Sequence, residues 1–251
     1  MTLERLLPQP GDVTLHEAYA SLGLAERAPP DRPYVIANMI ASVDGRATLT
    51  GHSGGLGNDA DKQIFLDLRT QVDAVMAGTA TIGIERYGPL LKSSERQAKR
   101  VRRGLEPVPL AVTATRTMEL PAQAPLFSDP ASRIVVLTNS DREPPECAAQ
   151  LSIERLPGEP LDLLAGMERL RARYGVRSML LEGGPTVLAA MTAAGLVHEL
   201  FLTRAPKLVG SGDEPTIVEG PPVDEPLELE LVSVLRDDAY LFLRYRLGAR
   251  A

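Results

Sequence analysis

The sequence predicts an α/β fold, a mostly parallel sheet with helices between its strands and an antiparallel hairpin at its carboxyl end. Three observations carry this. Short apolar runs rich in β-branched residues alternate with amphipathic segments from residue 34 onward. Residues 227–247, LELELVSVLRDDAYLFLRYRL, read as two strands joined at Asp237-Asp238. Between them, LLEGGPTVLAAM at 180–191 passes from an apolar strand through Gly-Gly-Pro into a helix, the junction expected of a strand–helix unit.

Taken in order, residues 1–32 read as an amino-terminal extension holding one short helix, LHEAYASLGL, and a Pro-rich stretch, RAPPDRP. YVIANMIAS (34–42) is a buried strand, and the glycine-rich VDGRATLTGHSGGLG (43–57) a long functional loop. Asn58 caps a helix with Asp59 and Asp61 in its first turn and Ile64, Phe65, Leu68 and Val72 on one face. DAVMAG (73–78) is a strand that runs into a short helix and turn, TATIGIERYG. The charged SSERQAKRVRRG (93–104) reads as a solvated helix or mobile loop. PLAVT (109–113) and RIVVLT (133–138) are strands. LDLLAGMERLRARYG (161–175) is a helix stopped by Gly175, followed by strand SMLLE (178–182), helix PTVLAAMTAAG (185–195) and strand VHELFLTRAP (197–206). There is no internal repeat and no clean linker, so residues 33–251 are expected to form one domain.

Composition excludes several classes. The 251 residues are 44% hydrophobic, enough for a real core, and the net charge of −6 disfavours a nucleic-acid partner. The single cysteine, Cys147, rules out intrachain disulfides and thiolate zinc clusters, and His16, His52 and His198 are too scattered to suggest a metal set. No apolar run approaches the roughly 20 residues of a membrane span and no signal-peptide layout opens the chain, so no membrane partner and a cytoplasmic location are expected.

The chemistry concentrates at two strand-to-helix junctions. At Glu182-Gly183-Gly184-Pro185-Thr186-Val187 a helix start leaves free N–H groups, and glycine admits close approach of a ligand. The helix dipole favours negative charge there, so either a phosphate or plain turn geometry explains the motif. AGTAT (77–81), with Gly78 and Thr81, is a second such junction, and two on one rim suit a ligand with several phosphates. Arg69, at the edge of its helix's buried face, is either a surface ion-pair partner or a phosphate clamp.

Three stretches in the same order, ANMIASVDGR (37–46), SGGLGNDADKQIFLDLRTQVDAVMAGTATI (53–82) and LLEGGPTVLAAMTAAGLVHELFLTRAPKLVG (180–210), resemble the reductase domain of the riboflavin-biosynthesis deaminase/reductase. The resemblance implies a dihydrofolate-reductase-like three-layer sandwich, usually homodimeric, that uses NADPH. It also implies a phosphorylated pyrimidine substrate, 5-amino-6-(5-phosphoribosylamino)uracil or a close analogue, whose ribosyl group is reduced at C1′ to the ribityl form. Carried over by residue, Ile40 and Ala41 border the nicotinamide. Gly55, Gly78, Thr81, Glu85 and the segment Gly183, Gly184, Pro185, Thr186 and Val187 belong to the cofactor site. Asn38, Ser53, Arg69, Lys92 and Glu182 face the substrate, with Arg69 on its phosphate, while Glu85 and Glu182 are the catalytic carboxyls. The 2′-phosphate of NADPH falls near either Thr113–Arg116 or Thr138–Ser140.

Two departures from the family pattern stand out. An Asp-Asp-Pro-x-Leu motif followed by a basic residue is replaced by GIERYGPLLK, where Glu85 takes the place of the first Asp and Lys92 that of the base. Asn38 stands where several relatives carry Lys. The altered loop keeps two other readings open: a reductase of dihydrofolate or another heterocycle, and an NADPH-binding protein without turnover.

Overall fold

The computed structural model describes residues 1–20, 22–210, 212–221 and 225–248. Among the described residues eleven strands form one sheet: β1 (Thr2–Leu7), β2 (Gly11–Thr14), β3 (Tyr34–Ser42), β4 (Ala74–Met76), β5 (Leu110–Thr115), β6 (Arg133–Thr138), β7 (Gln150–Arg155), β8 (Ser178–Leu181), β9 (Glu199–Ala205), β10 (Leu229–Asp237) and β11 (Tyr240–Leu247). Their order is β2-β1-β10-β11-β9-β3-β8-β4-β5-β6-β7. From β9 to β7 every pairing is parallel, and from β9 through β11 and β10 to β1 and β2 every pairing is antiparallel. This is the mixed, mostly parallel sheet expected, in the three-layer arrangement of dihydrofolate reductase.

The helices are α1 (Leu15–Ala18), α2 (Asp59–Arg69), α3 (Thr79–Ile84), α4 (Ser94–Arg102), α5 (Pro125–Ser128), α6 (Leu163–Tyr174) and α7 (Pro185–Ala193). They divide the core into two layers. Ile64 and Leu68 of α2 pack with Ile36, Val75 and Leu180 on one face of the sheet. Met167 and Leu170 of α6 and Leu188 and Met191 of α7 pack with Val35, Ala37, Met76 and Met179 on the other. The alternation along β3 follows from the two-residue period of a strand and leaves Asn38 and Ile40 on the α2 side.

Three regions depart from the sequence reading. Only Leu15–Ala18 of the amino-terminal helix forms, and residues 2–14 instead supply two strands. Leu3, Val13 and Leu15 share the core with α2, and β1 pairs with β10, so residues 2–14 belong to the sheet rather than to a docked extension. β7, absent from the reading, is the edge strand beside β6. The charge run at 93–104 forms α4 but is not wholly solvated: Arg100 is fully buried. Its guanidinium donates to the carbonyls of Arg69 at 2.5 Å, Val72 at 2.6 Å and Glu106 at 2.7 Å. Helix ends leave carbonyls without intrahelical donors, and Arg100 satisfies those just beyond α2. With no carboxylate bonded to it, burial pulls its guanidinium down to about 10.

Candidate active site

Between β3 and β4 the chain skips a sheet position that β8 later fills. At such a switch in strand order the loops diverge, and a crevice opens at the carboxyl ends of the strands. Here the crevice is a cleft of about 2420 Å³, well beyond the ~300–1,000 Å³ of a drug-sized pocket. Its wall is built from the ends of β3, β4, β5 and β8, from α2 and from the 85–93 loop.

The two junctions singled out in the sequence meet on its floor. The Gly78 N–H donates to the Gly183 carbonyl at 2.9 Å, and the Glu182 N–H to the Met76 carbonyl at 2.9 Å. Gly78 and Gly184 cap α3 and α7 without any side-chain hydrogen bond. The Thr186 and Val187 N–H groups lie in the first turn of α7, where no intrahelical acceptor exists. A Cβ on Gly184 would meet Thr81 Oγ1 at 2.6 Å, and one on Gly78 would meet Val187 Cγ2 at 3.0 Å. Only glycine lets the two helix starts approach so closely, and the free N–H groups in the first turn of α7 suit a pyrophosphate. The Gly183–Gly184 peptide is cis.

Above the floor, Arg69 and Glu182 come together from 113 residues apart. Arg69 Nε lies 2.6 Å from Glu182 Oε1 and Nη2 2.7 Å from Oε2, a bidentate pair, while Nη1 donates to the Leu90 carbonyl at 2.6 Å. The guanidinium carbon sits 4.3 Å from the Phe65 ring centre and 5.5 Å from that of Tyr87. Tyr87 also donates its hydroxyl to Glu182 at 2.9 Å. Burial alone would pull the Arg69 guanidinium down, but the adjoining Glu182 carboxylate outweighs it and holds the group above its ordinary value. Burial, then the Glu182 charge, pushes the Tyr87 phenol well up. Arg69, expected on the substrate phosphate, has its fork on a carboxylate here, in the geometry it would also offer a phosphate.

The remaining expected residues divide. Asn38, Ile40, Ser53, Glu85, Lys92, Pro185, Thr186 and Val187 all line the cleft. Glu85 accepts the Ser53 N–H at 2.7 Å, which ties the glycine-rich loop to the end of α3, and His52 Nδ1 lies 4.0 Å from its other oxygen. Ala41 is not on the wall; it is buried on the face of β3 opposite Ile40. Gly55 also falls outside the wall, exposed with its carbonyl bonded by Lys207. Of the two places considered for a 2′-phosphate, Thr113–Arg116 borders the cleft through residues 114–116 and Thr138–Ser140 does not. Among the described residues, Arg86, Lys92 and Arg116 line the cleft without a side-chain hydrogen bond or ion pair.

Sequence reading missed several cleft carboxyls, among them Asp61, Glu214 and Glu219. Asp61, taken as a first-turn acid of α2, accepts the Thr203 hydroxyl at 2.6 Å and lines the cleft beside Asn38 and Ile40. Its signal was present, since Asp61 precedes Ile64, Phe65 and Leu68 by 3, 4 and 7 positions and so shares their inward face. Burial pushes its carboxyl up, only partly offset by Thr203 and Lys62.

A nucleotide-sized cleft at a switch in a dihydrofolate-reductase-like sheet, floored by two glycine-capped helix starts, defines a class of reductase. Comparison with known proteins places the chain within it. The family model of the RibD C-terminal domain matches residues 33–243, and the chain belongs to that family and is an oxidoreductase. It is 30% identical over 192 residues to the 2,5-diamino-6-ribosylamino-4(3H)-pyrimidinone 5′-phosphate reductase of Archaeoglobus fulgidus, covering 75% of this chain and 87% of that protein. The reductase of the same name from Methanothermobacter thermautotrophicus is 31% identical, covering 77% and 87%. A pyrimidine reductase-like protein of Corynebacterium diphtheriae shares the fold with a TM-score of 0.77 at 22% identity, over 94% of this chain and 98% of that one.

Proposed function

We propose that the chain is an NADPH-dependent reductase of the riboflavin pathway. It reduces the ribosyl side chain of 5-amino-6-(5-phosphoribosylamino)uracil, or of the closely related diaminopyrimidinone, to the ribityl form. The observation that carries this reading is the joined floor at Gly78, Thr81, Gly183 and Gly184, a cradle that a Cβ would fill. Gly184, Thr186 and Val187 hold the pyrophosphate of NADPH, Arg116 its 2′-phosphate, and Ile40 borders the nicotinamide. The dinucleotide supplies the hydride.

Catalysis by this chain is largely positioning and exclusion of water. The locked Arg69–Glu182–Tyr87 group presents a rigid polar surface to the substrate. Lys92 and Arg86, free of internal partners, anchor the sugar phosphate that Arg69 is no longer free to clamp. Ser53, held by Glu85, and Asn38 complete the substrate wall. A second copy of the chain packs on the half-buried residues Leu200 and Leu202 of β9 and Leu243 and Tyr245 of β11, which pair across the sheet on one face. NADPH oxidation, followed by absorbance, is expected with either phosphoribosylaminopyrimidine and not with dihydrofolate. Oxidation with dihydrofolate alone would transfer the site to the folate reading, and tight NADPH binding without oxidation by any of the three would make it a binding protein.

A further inference from the structure

Arg69 is the last residue of α2, where a helix carbonyl has no intrahelical donor and the backbone tends to fray. Its side chain nonetheless makes three N–H bonds of 2.6–2.7 Å at the cleft wall, two of them to a carboxylate 113 positions away. Both ends of this arrangement are held from α4. Arg100 Nη1 donates to the Arg69 carbonyl at 2.5 Å and to the Val72 carbonyl at 2.6 Å, and Nε donates to the Glu106 carbonyl at 2.7 Å. Gln97 Nε2 donates to the Leu91 carbonyl at 2.9 Å, next to the Leu90 carbonyl that Arg69 Nη1 uses.

Stability alone is a weak reason for Arg100. It is fully buried, and among the described residues no carboxylate bonds it and its Nη2 has no hydrogen-bond partner. Burying such a cation costs more than burying an apolar side chain of the same size. An apolar residue would fill the space but leave the Arg69 carbonyl bare. What arginine alone supplies is a planar fork of fixed geometry, set here against the carbonyls at the end of α2. Arg100 is not on the cleft wall, so it can reach the substrate only through Arg69.

We propose that Arg100 is a positioning residue for the reduction, on the reading of the site given above. By pinning the Arg69 backbone it holds the guanidinium in the one orientation that bonds both Glu182 oxygens and the Leu90 carbonyl together. Glu182 then keeps a single direction toward the substrate. With the Arg100 fork removed, the pair still forms but samples several arrangements, and the pyrimidine binds in poses away from the one that hydride transfer needs. Arg103 supplies a comparison on the same helix end. It donates to the Thr70 carbonyl at 3.3 Å, the Thr70 hydroxyl at 3.0 Å and the Ala20 carbonyl at 2.7 Å, and none of these acceptors belongs to Arg69.

The test measures kcat, KM and Tm with NADPH and the phosphoribosylaminopyrimidine for wild type, Arg100→Lys, Arg103→Lys, Glu182→Gln and the double variant Arg100→Lys/Glu182→Gln. Lysine keeps the charge at both positions and replaces the fork by a single point, so the variants fold where alanine would leave several carbonyls bare. Arg100→Lys should lower kcat about tenfold, with KM for the pyrimidine changed less and the Kd for NADPH unchanged. Arg103→Lys should lower Tm with kcat retained. In the Glu182→Gln background, Arg100→Lys should lower Tm as it does in wild type but change kcat less than about twofold, because the contact it serves is already lost. The nitrogen-15 Nε–H resonance of Arg69, identified by its loss in Arg69→Lys, should shift or broaden in Arg100→Lys and not in Arg103→Lys, independently of turnover. A wild-type kcat in Arg100→Lys, an equal loss of kcat in Arg103→Lys, or a loss that repeats in full in the Glu182→Gln background overturns the proposal and leaves Arg100 a residue of stability only. Absence of turnover by the wild type overturns the reading beneath it, and an Arg69 resonance unaltered in Arg100→Lys overturns the proposal in either case.

Discussion

Two buried glutamates, each gripped by arginine, stand at opposite ends of the parallel strands. Glu182 follows β8 at the carboxyl ends, where the strands open into the cleft. Glu199 begins β9 at the amino ends, fully buried, with Arg27 at 2.6 Å, Arg244 at 2.7 Å and the Tyr34 hydroxyl at 3.0 Å. Burial pushes Glu199 up, but Arg244 and Arg27 outweigh it and hold its carboxyl below the ordinary value. The partners of Glu199 come from the amino-terminal segment, β3 and β11, and close around it. Those of Glu182 come from α2 and the 85–93 loop and leave one side on the cleft. The ionic chemistry is shared, and the position relative to the strand ends decides what it serves. Glu199 fastens the chain together, whereas Glu182 shapes a surface for a ligand.

Glu199→Ala should give the largest effect and the one confined to stability. Removing this buried carboxylate from two half-buried arginines costs about 3 kcal/mol, a fall in Tm on the order of 10 °C, with kcat per folded molecule unchanged. Because the folded Glu199 value lies below its unfolded value of 4.5, its contribution is fully present above that pH and is lost as pH falls through the folded value. The gap in Tm between wild type and variant should therefore close in acid, which thermal melts across pH would show. Loss of activity in this variant would break the comparison from one side.

Glu182→Gln should lower both Tm and kcat/KM, the latter about 100-fold, since Arg69 loses its partner at the cleft wall. Steady-state kinetics with both substrates varied would show it, and unchanged kinetics would break the comparison from the other side. Gly184→Ala sharpens it further, because the added Cβ strikes Thr81 Oγ1 on the cleft floor. NADPH affinity measured by fluorescence should weaken about tenfold, on the scale of a ~1.4 kcal/mol loss. Arg116→Ala is expected to be mildest, narrowing the preference for NADPH over NADH a few-fold in paired titrations, as suits one exposed cation.

Much of this was legible in the sequence because it is local. The Gly-Gly-Pro strand-to-helix turn, the Asn58 cap, the Gly175 stop and the terminal hairpin each rest on residues a few positions apart, where propensity and capping act. What was hidden depends on distance along the chain. Arg69 and Glu182 were each assigned to the substrate because nothing local shows that they hold each other. Arg100 looked like one more charge in a basic run, since the carbonyls it serves lie about 30 positions earlier. Asp61 read as a helix-dipole residue although its spacing on α2 carried an inward signal, and only its partner Thr203, 142 positions away, was hidden. β1 went unread because its partner, β10, is more than 200 residues away.

The most direct test of the central claim is to follow the hydride itself. NADPH deuterated at the nicotinamide C4 is supplied with the phosphoribosylaminopyrimidine, and the product is read by mass spectrometry and proton NMR. One deuterium at C1′ of a ribityl chain is the expected result. Deuterium in the heterocycle, or NADPH consumed with none in the product, would contradict the assignment of this cleft to ribosyl reduction.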